Sequence, residues 1–442
     1  MNALKEVILN DVKKIQAYYG WVILGVTFLT FAIAQGSRNV FSLFFVAMIE
    51  EFGWSRASTA GVYSMDVIIQ GVSGAFIGAL VSRYGSKPLL VAGAVILALS
   101  LMLNSQIESL WQFYLLFGIF GSIGASLLSM VTHSPILSSW FVKKRGMALG
   151  MATSGMGMGI LVLSPLTQYS ILAVGWRGAY IVLGLIVLGL APLLFFLQKQ
   201  TPQEMGLLPD SGNSGHDAIQ ARIPNEKEEV RHDLAQNSWT LRRALKTYQF
   251  WCLFLGQMFF PIGLSAVQIH QVAHVVDIGY SKLAAASVFG IMGIFSTMGR
   301  ILFGFISDKI GREWTVTLSF VASGGGMAVL LFMHDTSHPW MLYLFTFLFG
   351  LGLGARMPVL TAMAAEMFPG KEFASIYGFL SMSRAAGAVG PWLGGYLYDL
   401  LGSYRLTFLV SLISVAIGCV FIWIAGLGKK ALQIKARQAS VP

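Results

Sequence analysis

Four arginines, Arg38, Arg300, Arg356 and Arg384, lie inside stretches of the chain that are otherwise long apolar runs. A guanidinium at the centre of such a run costs at least about 2.5–3.5 kcal/mol on membrane-insertion scales, so each needs a partner. Carboxylates are scarce there: Asp66 is the one acid well inside an apolar run, while Glu366, Glu372 and Asp399 fall near ends. The planar guanidinium fork matches a carboxylate, and a surplus of buried cation is the chemistry of a site that receives an anion. Arg38 and Asp66 each sit at a depth of about 15 Å from the same face, at about 1.5 Å per helical residue, so they are placed to pair. That pair reads either as mutual neutralisation of two buried charges or as an anion site at Arg38 modulated by Asp66. Arg356, nearer the inner end of its run, reads as structural, with Glu366 within reach. His270 and His274, four apart, share a helix face. They read as a proton-responsive pair, since histidine titrates near neutrality, or as two histidines without a role.

The elements that carry these residues follow from composition. The chain has 442 residues, 55% hydrophobic and 11% charged. Soluble domains carry about 25% charged residues. The chain therefore reads as an all-α integral membrane protein. Taking about twenty apolar residues per bilayer crossing, spans are expected at 20–46, 57–81, 88–106, 110–135, 146–171 and 177–197, then at 247–272, 283–306, 315–333, 339–363, 373–398 and 404–427. The expected organisation is a six-helix half over 1–197, a polar linker over 198–246 and a second six-helix half with a short tail over 247–442. The first residues lack the apolar core and cleavage site of a removable signal peptide, so the first span is expected to act as its own insertion signal.

Orientation is expected from the basic residues of the connections. Of the 30 Lys and Arg, 22 fall on the side of the termini and linker and four, Arg56, Arg177, Lys282 and Arg405, on the other. The termini are therefore expected to be cytoplasmic. The halves also repeat: GALVSRYGSKP at 78–88 matches GFISDKIGRE at 304–313, with Gly85 and Gly311 separated by 226, an offset that Pro165 and Pro391 share. Two parallel six-span repeats form the architecture in which a midplane site alternates between faces.

Those two loops resemble the pattern G-x-L-x-D-R-x-G-R-K of the major facilitator superfamily. Gly78, Arg83 and Gly85 fit the first copy, with Ser82 where an aspartate is usual, and Asp308, Gly311 and Arg312 fit the second. The resemblance implies twelve helices in two pseudo-symmetric halves and a gating role for both loops. WFVKKRGMALGMATSGMGMG at 140–159 resembles the fifth-span signature of the monocarboxylate transporter family, and YYGW at 18–21 its first-span signature. By that resemblance Arg38 takes the place of a first-span lysine, and Arg300 that of an eighth-span arginine which pairs with the substrate carboxylate. Proton-coupled members carry an aspartate four residues before that arginine; here the position is Ser296. Arg384 is similar in placement to an eleventh-span lysine of the oxalate:formate antiporter.

The net charge of +10 comes from cations scattered between spans, which excludes a nucleic-acid surface. Cys252 and Cys419 both lie in apolar runs. No metal, phosphate-loop or nucleophile–base pattern stands out, so neither a cofactor nor an enzymatic reaction is expected. The reading is a secondary transporter of small organic anions, above all monocarboxylates. Arg38, Arg300 and Arg384 are its substrate-binding candidates, and Asp66, His270 and His274 its coupling candidates. Expected partners are the carboxylate, a proton or exchanged anion, and the lipid bilayer, with the protein a functional monomer in the plasma membrane, as in a bacterial inner membrane. A dicarboxylate exchanger, a carboxylate sensor that does not transport, and a lipophilic-drug exporter are the rival readings.

Overall fold

A computed structural model describes residues 19–142, 144–207, 239–370 and 372–427. The residues before 19, most of the expected linker and the C-terminal tail lie outside the described residues. Every regular element described is helical.

The helices are α1 (Tyr19–Phe52), α2 (Arg56–Tyr84), α3 (Ser86–Asn104), α4 (Leu110–Trp140), α5 (145–174), α6 (176–197), α7 (Tyr248–Asp277), α8 (Lys282–Ile310), α9 (Arg312–Phe332), α10 (Pro339–Met367), α11 (373–401) and α12 (Arg405–Leu427). By length and apolarity alone, nine helices among the described residues are able to cross a membrane, or ten with the bent pair Arg56–Gly74 and Phe76–Tyr84 taken as one. Local chemistry explains the gap from twelve. As one helix, the run Arg145–Leu197 would be about 80 Å long, far more than a bilayer. Gly175 breaks it with φ 73° and ψ 168°. In α11 the α-helix gives way to a tighter 3-10 stretch at Ser383–Ala388, between Phe373–Met382 and Val389–Leu401.

The internal repeat is structural. Gly85 and Gly311 both adopt positive φ, 81° and 91°, and turn α2 into α3 and α8 into α9. Ser55 and Ser281, also 226 apart, both cap helices. Their hydroxyls accept from Ser58 N at 3.1 Å and Ala284 N at 3.2 Å, starting α2 and α8. A serine cap satisfies donors that lipid cannot, which fixes where each helix begins.

The halves meet along α2 against α11 and α5 against α8. The second contact depends on missing side chains. A Cβ on Gly157 would lie 2.0 Å from Thr297 Oγ1 and 2.3 Å from the Gly293 carbonyl, so the two backbones touch. Small residues allow this approach where lipid supplies no hydrophobic drive to pack helices. The neighbouring Gly155 and Gly159 face the other way, against α1 at Phe28 and Ala32. Thus the small-residue stripe of 140–159 serves packing within its half, and Gly157 alone of these three serves the junction.

Candidate functional site

Arg38 stands where α1 is irregular. Phe31–Gln35 form a widened π-helical turn, and Val40 leaves helical geometry with φ −72° and ψ 3°. Such interruptions recur at functional sites, because they redirect side chains and free backbone groups. Arg38 Nε donates to Asp66 Oδ2 at 2.6 Å, and Nη2 reaches the same oxygen. The other oxygen accepts from Gln70 Nε2 at 3.1 Å and lies 2.5 Å from the Ser122 hydroxyl, which is also 2.7 Å from the Gly118 carbonyl. The Tyr63 ring lies under the guanidinium, 5.3 Å from its centroid. Asp66 is 1% exposed and Arg38 13%, so the acid is sealed and the cation retains an open edge. Beside it, Asn39 Oδ1 accepts from Gln268 Nε2 of α7 at 2.9 Å, tying the two halves together one residue from Arg38.

Arg300 lies deeper than the expected span boundaries implied. Helix α8 continues to Ile310. Arg300 is ten residues from that end, or about 15 Å along the axis. Its Nη1 donates to the Thr153 carbonyl of α5 at 2.9 Å, across the junction that Gly157 and Gly293 allow. Ser296 Oγ, where proton-coupled relatives are expected to carry an acid, is 3.5 Å from Nη2. Among the described residues Arg300 has no carboxylate partner.

Arg384 sits in the 3-10 stretch of α11, eleven residues from Phe373, and its Nε donates to the Ser381 carbonyl at 3.2 Å. Arg356 is eleven residues from the Met367 end of α10. Glu366 does not neutralise it: that carboxylate accepts from Arg312 Nε at 2.9 Å instead, and Arg356 Nη1 is buried without a hydrogen-bond partner among the described residues. The three arginines of the second half therefore share one level. Every described acid of that half, Asp277, Asp308, Glu313, Asp335, Glu366, Glu372 and Asp399, lies at a helix end or in a loop. Among the described residues, no acid of the second half stands at the level of these cations.

His270 and His274 are not at that level. They are twelve and sixteen residues farther from the Tyr248 end of α7 than the arginine layer is from its helix ends. That separation is roughly 18–24 Å along the axis. His270 is fully buried: Nε2 donates to the Pro391 carbonyl at 2.8 Å and Nδ1 faces the Tyr404 hydroxyl at 3.2 Å. His274 packs edge-on to Phe408 at 5.0 Å, and its Nε2 has no partner among the described residues.

His270 belongs to a polar cluster that closes one end of the molecule and that motif reading missed. Arg56, first residue of α2, donates to Asp277 at 2.6 and 3.0 Å and to the Tyr404 hydroxyl at 2.6 Å, with its guanidinium 3.7 Å from the Tyr398 centroid. Asp399 accepts from the backbone N–H groups of Arg56 and Ala57 at 2.9 and 2.8 Å. Lys282, first residue of α8, pairs with Glu50 at 2.5 Å. The two ion pairs are related by the repeat: Arg56 and Lys282 are 226 apart, so the cation opening α2 grips the end of α7, and the cation opening α8 grips the end of α1. The offset between those cations was the available signal.

The two repeated loops are unequal, as Ser82 implied. In the second, Arg312 Nη1 pairs with Asp308 at 2.7 Å and meets Ser307 Oγ at 2.5 Å. In the first, Ser82 donates to its own helix at Gly78 O, 3.0 Å, and Arg83 stacks on Tyr84 at 5.3 Å. Gly85, at positive φ, is overlaid by Gln200, whose Oε1 would lie 2.7 Å from a Cβ there.

Helices in two repeated halves, joined at a closed end and carrying a layer of arginines at mid-depth, define a transporter of the major facilitator class. The Major Facilitator Superfamily profile matches residues 27–336 and 275–439, and the chain belongs to that superfamily. Within it, the chain is similar to monocarboxylate transporters. The chain is 24% identical to human monocarboxylate transporter 2, covering 88% of this chain and 82% of the relative, and 26% identical to rat monocarboxylate transporter 12, covering 93% and 86%. It is 25% identical to YcxA, an uncharacterized MFS-type transporter of Bacillus subtilis (strain 168), over 93% and 96%. In fold it is similar to a bacterial homologue of the human lysosomal transporter Spinster, solved in an inward-facing and occupied conformation, with TM-score 0.70, 14% identity and 92% and 97% coverage.

Proposed function

We propose that this protein moves small organic anions, above all monocarboxylates, by alternating access between its two halves. The observation that carries the reading is Arg300: a cation at mid-depth with no carboxylate partner among the described residues, held by a carbonyl of the opposite half. A substrate carboxylate would replace that weak acceptor with a charge-assisted, bidentate one, so binding would both neutralise the layer and change the contact between halves. Arg384 supports the same site from α11. Arg38, engaged by Asp66, acts as a second cation that becomes available when the anion competes for it.

The names of the relatives support the substrate class. Ser296 in place of an acid favours exchange, or coupling through Asp66, over proton symport at α8. The clustered arginines disfavour a carrier of lipophilic cations, which would meet repulsion at mid-depth. The excess of Lys and Arg on the side of the termini supports a plasma-membrane protein with cytoplasmic ends. Each chain holds a complete site between its own halves, so the acting unit is the monomer. On this orientation the Arg56 cluster closes the external face.

Uptake of labelled lactate, pyruvate, oxalate and succinate into proteoliposomes tests the proposal, with and without an inward proton gradient and with unlabelled acid inside. Stimulation by internal acid selects exchange, and stimulation by the gradient selects symport. Binding without movement selects a sensor, and movement of lipophilic cations instead of any acid overturns the reading.

A further inference from the structure

We propose that residues 198–207, which follow α6, form a strap that ties the ends of α2, α3 and α4 where the second half uses ion pairs, with Gln200 as the positioning residue for opening and closing that end. The inference rests on the alternating-access reading above and goes beyond it by naming what controls the end opposite the Arg56 cluster.

In the second half, three charged side chains tie three helix ends. Arg312 of α9 donates to Asp308 of α8 at 2.7 Å and to Glu366 of α10 at 2.9 Å. The residues 226 earlier are Ser82, Ser86 and Trp140, so the first half has none of these charges. The strap occupies their place. Trp140 Nε1 donates to the Lys199 carbonyl at 3.2 Å and Ser139 Oγ to the Gln200 carbonyl at 2.8 Å. Ser86 N, at the start of α3, donates to Gln200 Oε1 at 3.4 Å. Tyr19 adds a bond from α1 to the Leu197 carbonyl at 2.9 Å. Beyond Gln200 the chain folds back through the 3-10 turn Pro202–Met205, with Pro202 and Leu207 buried. The replacement is reciprocal: the residue 226 after Gln200 is Gly426, and α12 runs on through it to Leu427 where α6 stops at Leu197.

What the strap holds is the loosely packed end of α2. That helix bends by 49° between Gly74 and Phe76, next to Ser73, and a Gly/Ser pair is a common site for a kink. Before the bend α2 packs on α11, where a Cβ at Gly71 would lie 3.1 Å from Ala385 Cβ. After it, a Cβ at Gly78 would meet nothing within 4 Å, and Phe76, Leu80 and Tyr84 are exposed. The piece Phe76–Tyr84 therefore takes little of its direction from packing. The strap reaches it at Gly85, where Gln200 Oε1 would lie 2.7 Å from a Cβ. Its bonds to the helices are neutral, whereas the second half relies on charges that salt screens.

The experiment is hydrogen exchange on the full-length protein in detergent, for wild type, Gln200→Leu and Gln200→Glu. A spin-label distance between Arg83→Cys and Lys309→Cys, with Cys252 and Cys419 replaced, is measured in each. Leucine keeps the size and removes the acceptor; glutamate keeps the acceptor and suits the positive start of α3. The expected result is that leucine speeds exchange in the α2–α3 turn about five-fold, the scale of one net hydrogen bond, and broadens the distance distribution, while glutamate leaves both at wild type. Salt at about 1 M should speed exchange in the α8–α9 turn and not in the α2–α3 turn. Lactate counterflow by Gln200→Leu should fall about five-fold in maximal rate, with apparent affinity within about two-fold of wild type. Unchanged exchange in Gln200→Leu, an equal rise with glutamate, or salt-sensitive exchange at both turns overturns the strap. Faster exchange with an unchanged distance and counterflow rate makes Gln200 structural and overturns its control of opening. A wild type that carries no lactate overturns the anion reading alone, because exchange and distance still decide the strap.

Discussion

Arg38 and Asp66, one turn below a π-helical bulge in α1 and mid-way along α2, form a buried ion pair in which Nε donates to Oδ2 at 2.6 Å. The carboxylate is enclosed by Gln70 and Ser122, so its charge is satisfied from both sides. Breaking such a pair from one side leaves an uncompensated charge at about 3–5 kcal/mol, whereas removing both partners can be close to neutral. Arg38→Met and Asp66→Leu should therefore each lower thermal stability in detergent sharply, and the double variant should recover most of the loss. Additive losses, with the double variant as unstable as the two singles summed, would mean that the pair contributes no coupling.

The closed end supplies a second prediction. The exposed Lys282–Glu50 pair contributes about 0–1 kcal/mol, and the Arg56–Asp277 pair is half-buried, so together they are expected to bias the two access states towards closure of this end. Arg56→Ala should widen the spin-label distance across that end between Gln106→Cys and Ser337→Cys, with Cys252 and Cys419 replaced, because both sites are exposed there. An unchanged distance distribution would show that the cluster does not hold this end shut.

Reciprocity of the latch can be read by charge exchange. Lys282→Glu places an acid against Glu50 and should reduce transport, and the added Glu50→Lys should restore it. Failure of the exchange to rescue any activity would assign the loss to helix capping at α8 rather than to the ion pair.

The α5–α8 contact leaves no room for a side chain: a group added at Gly157 meets Thr297 and the Gly293 carbonyl of the opposite half. Gly157→Val should slow transport by about an order of magnitude or more while the purified protein stays monodisperse, since the added methyls hold that half away from Thr153 and its contact with Arg300. Wild-type rates in this variant would show that the halves do not approach here during the cycle.

Much of this was legible before the structure. Hydropathy and the 226-residue offset pointed to the two halves, and the scarcity of intramembrane acids pointed to the pairing of Arg38 with Asp66. Helix irregularity was not legible: nothing in FAIAQ or SRAAGA announces a π turn or a 3-10 stretch, because these depend on packing against neighbours rather than on propensity. Span edges read from apolarity placed Arg300 too close to water, since α8 runs on through the amphipathic FISDKI to Ile310. The Arg56 cluster was hidden for another reason. Its members come from α2, α7, α11 and the turn before α12, and charges in short loops ordinarily read as solvated. Arg356 was assigned to Glu366 by proximity in sequence, but helix rotation gives that acid to Arg312.

On the proposed function, the mid-depth cation of α8 receives the substrate carboxylate. The direct measurement is counterflow of labelled lactate into proteoliposomes by wild type and Arg300→Gln at matched protein incorporation. The expected result is uptake by wild type and a loss of about a hundred-fold or more in the variant, the scale for removing a bidentate charge-assisted contact. Undiminished lactate uptake by Arg300→Gln would contradict it.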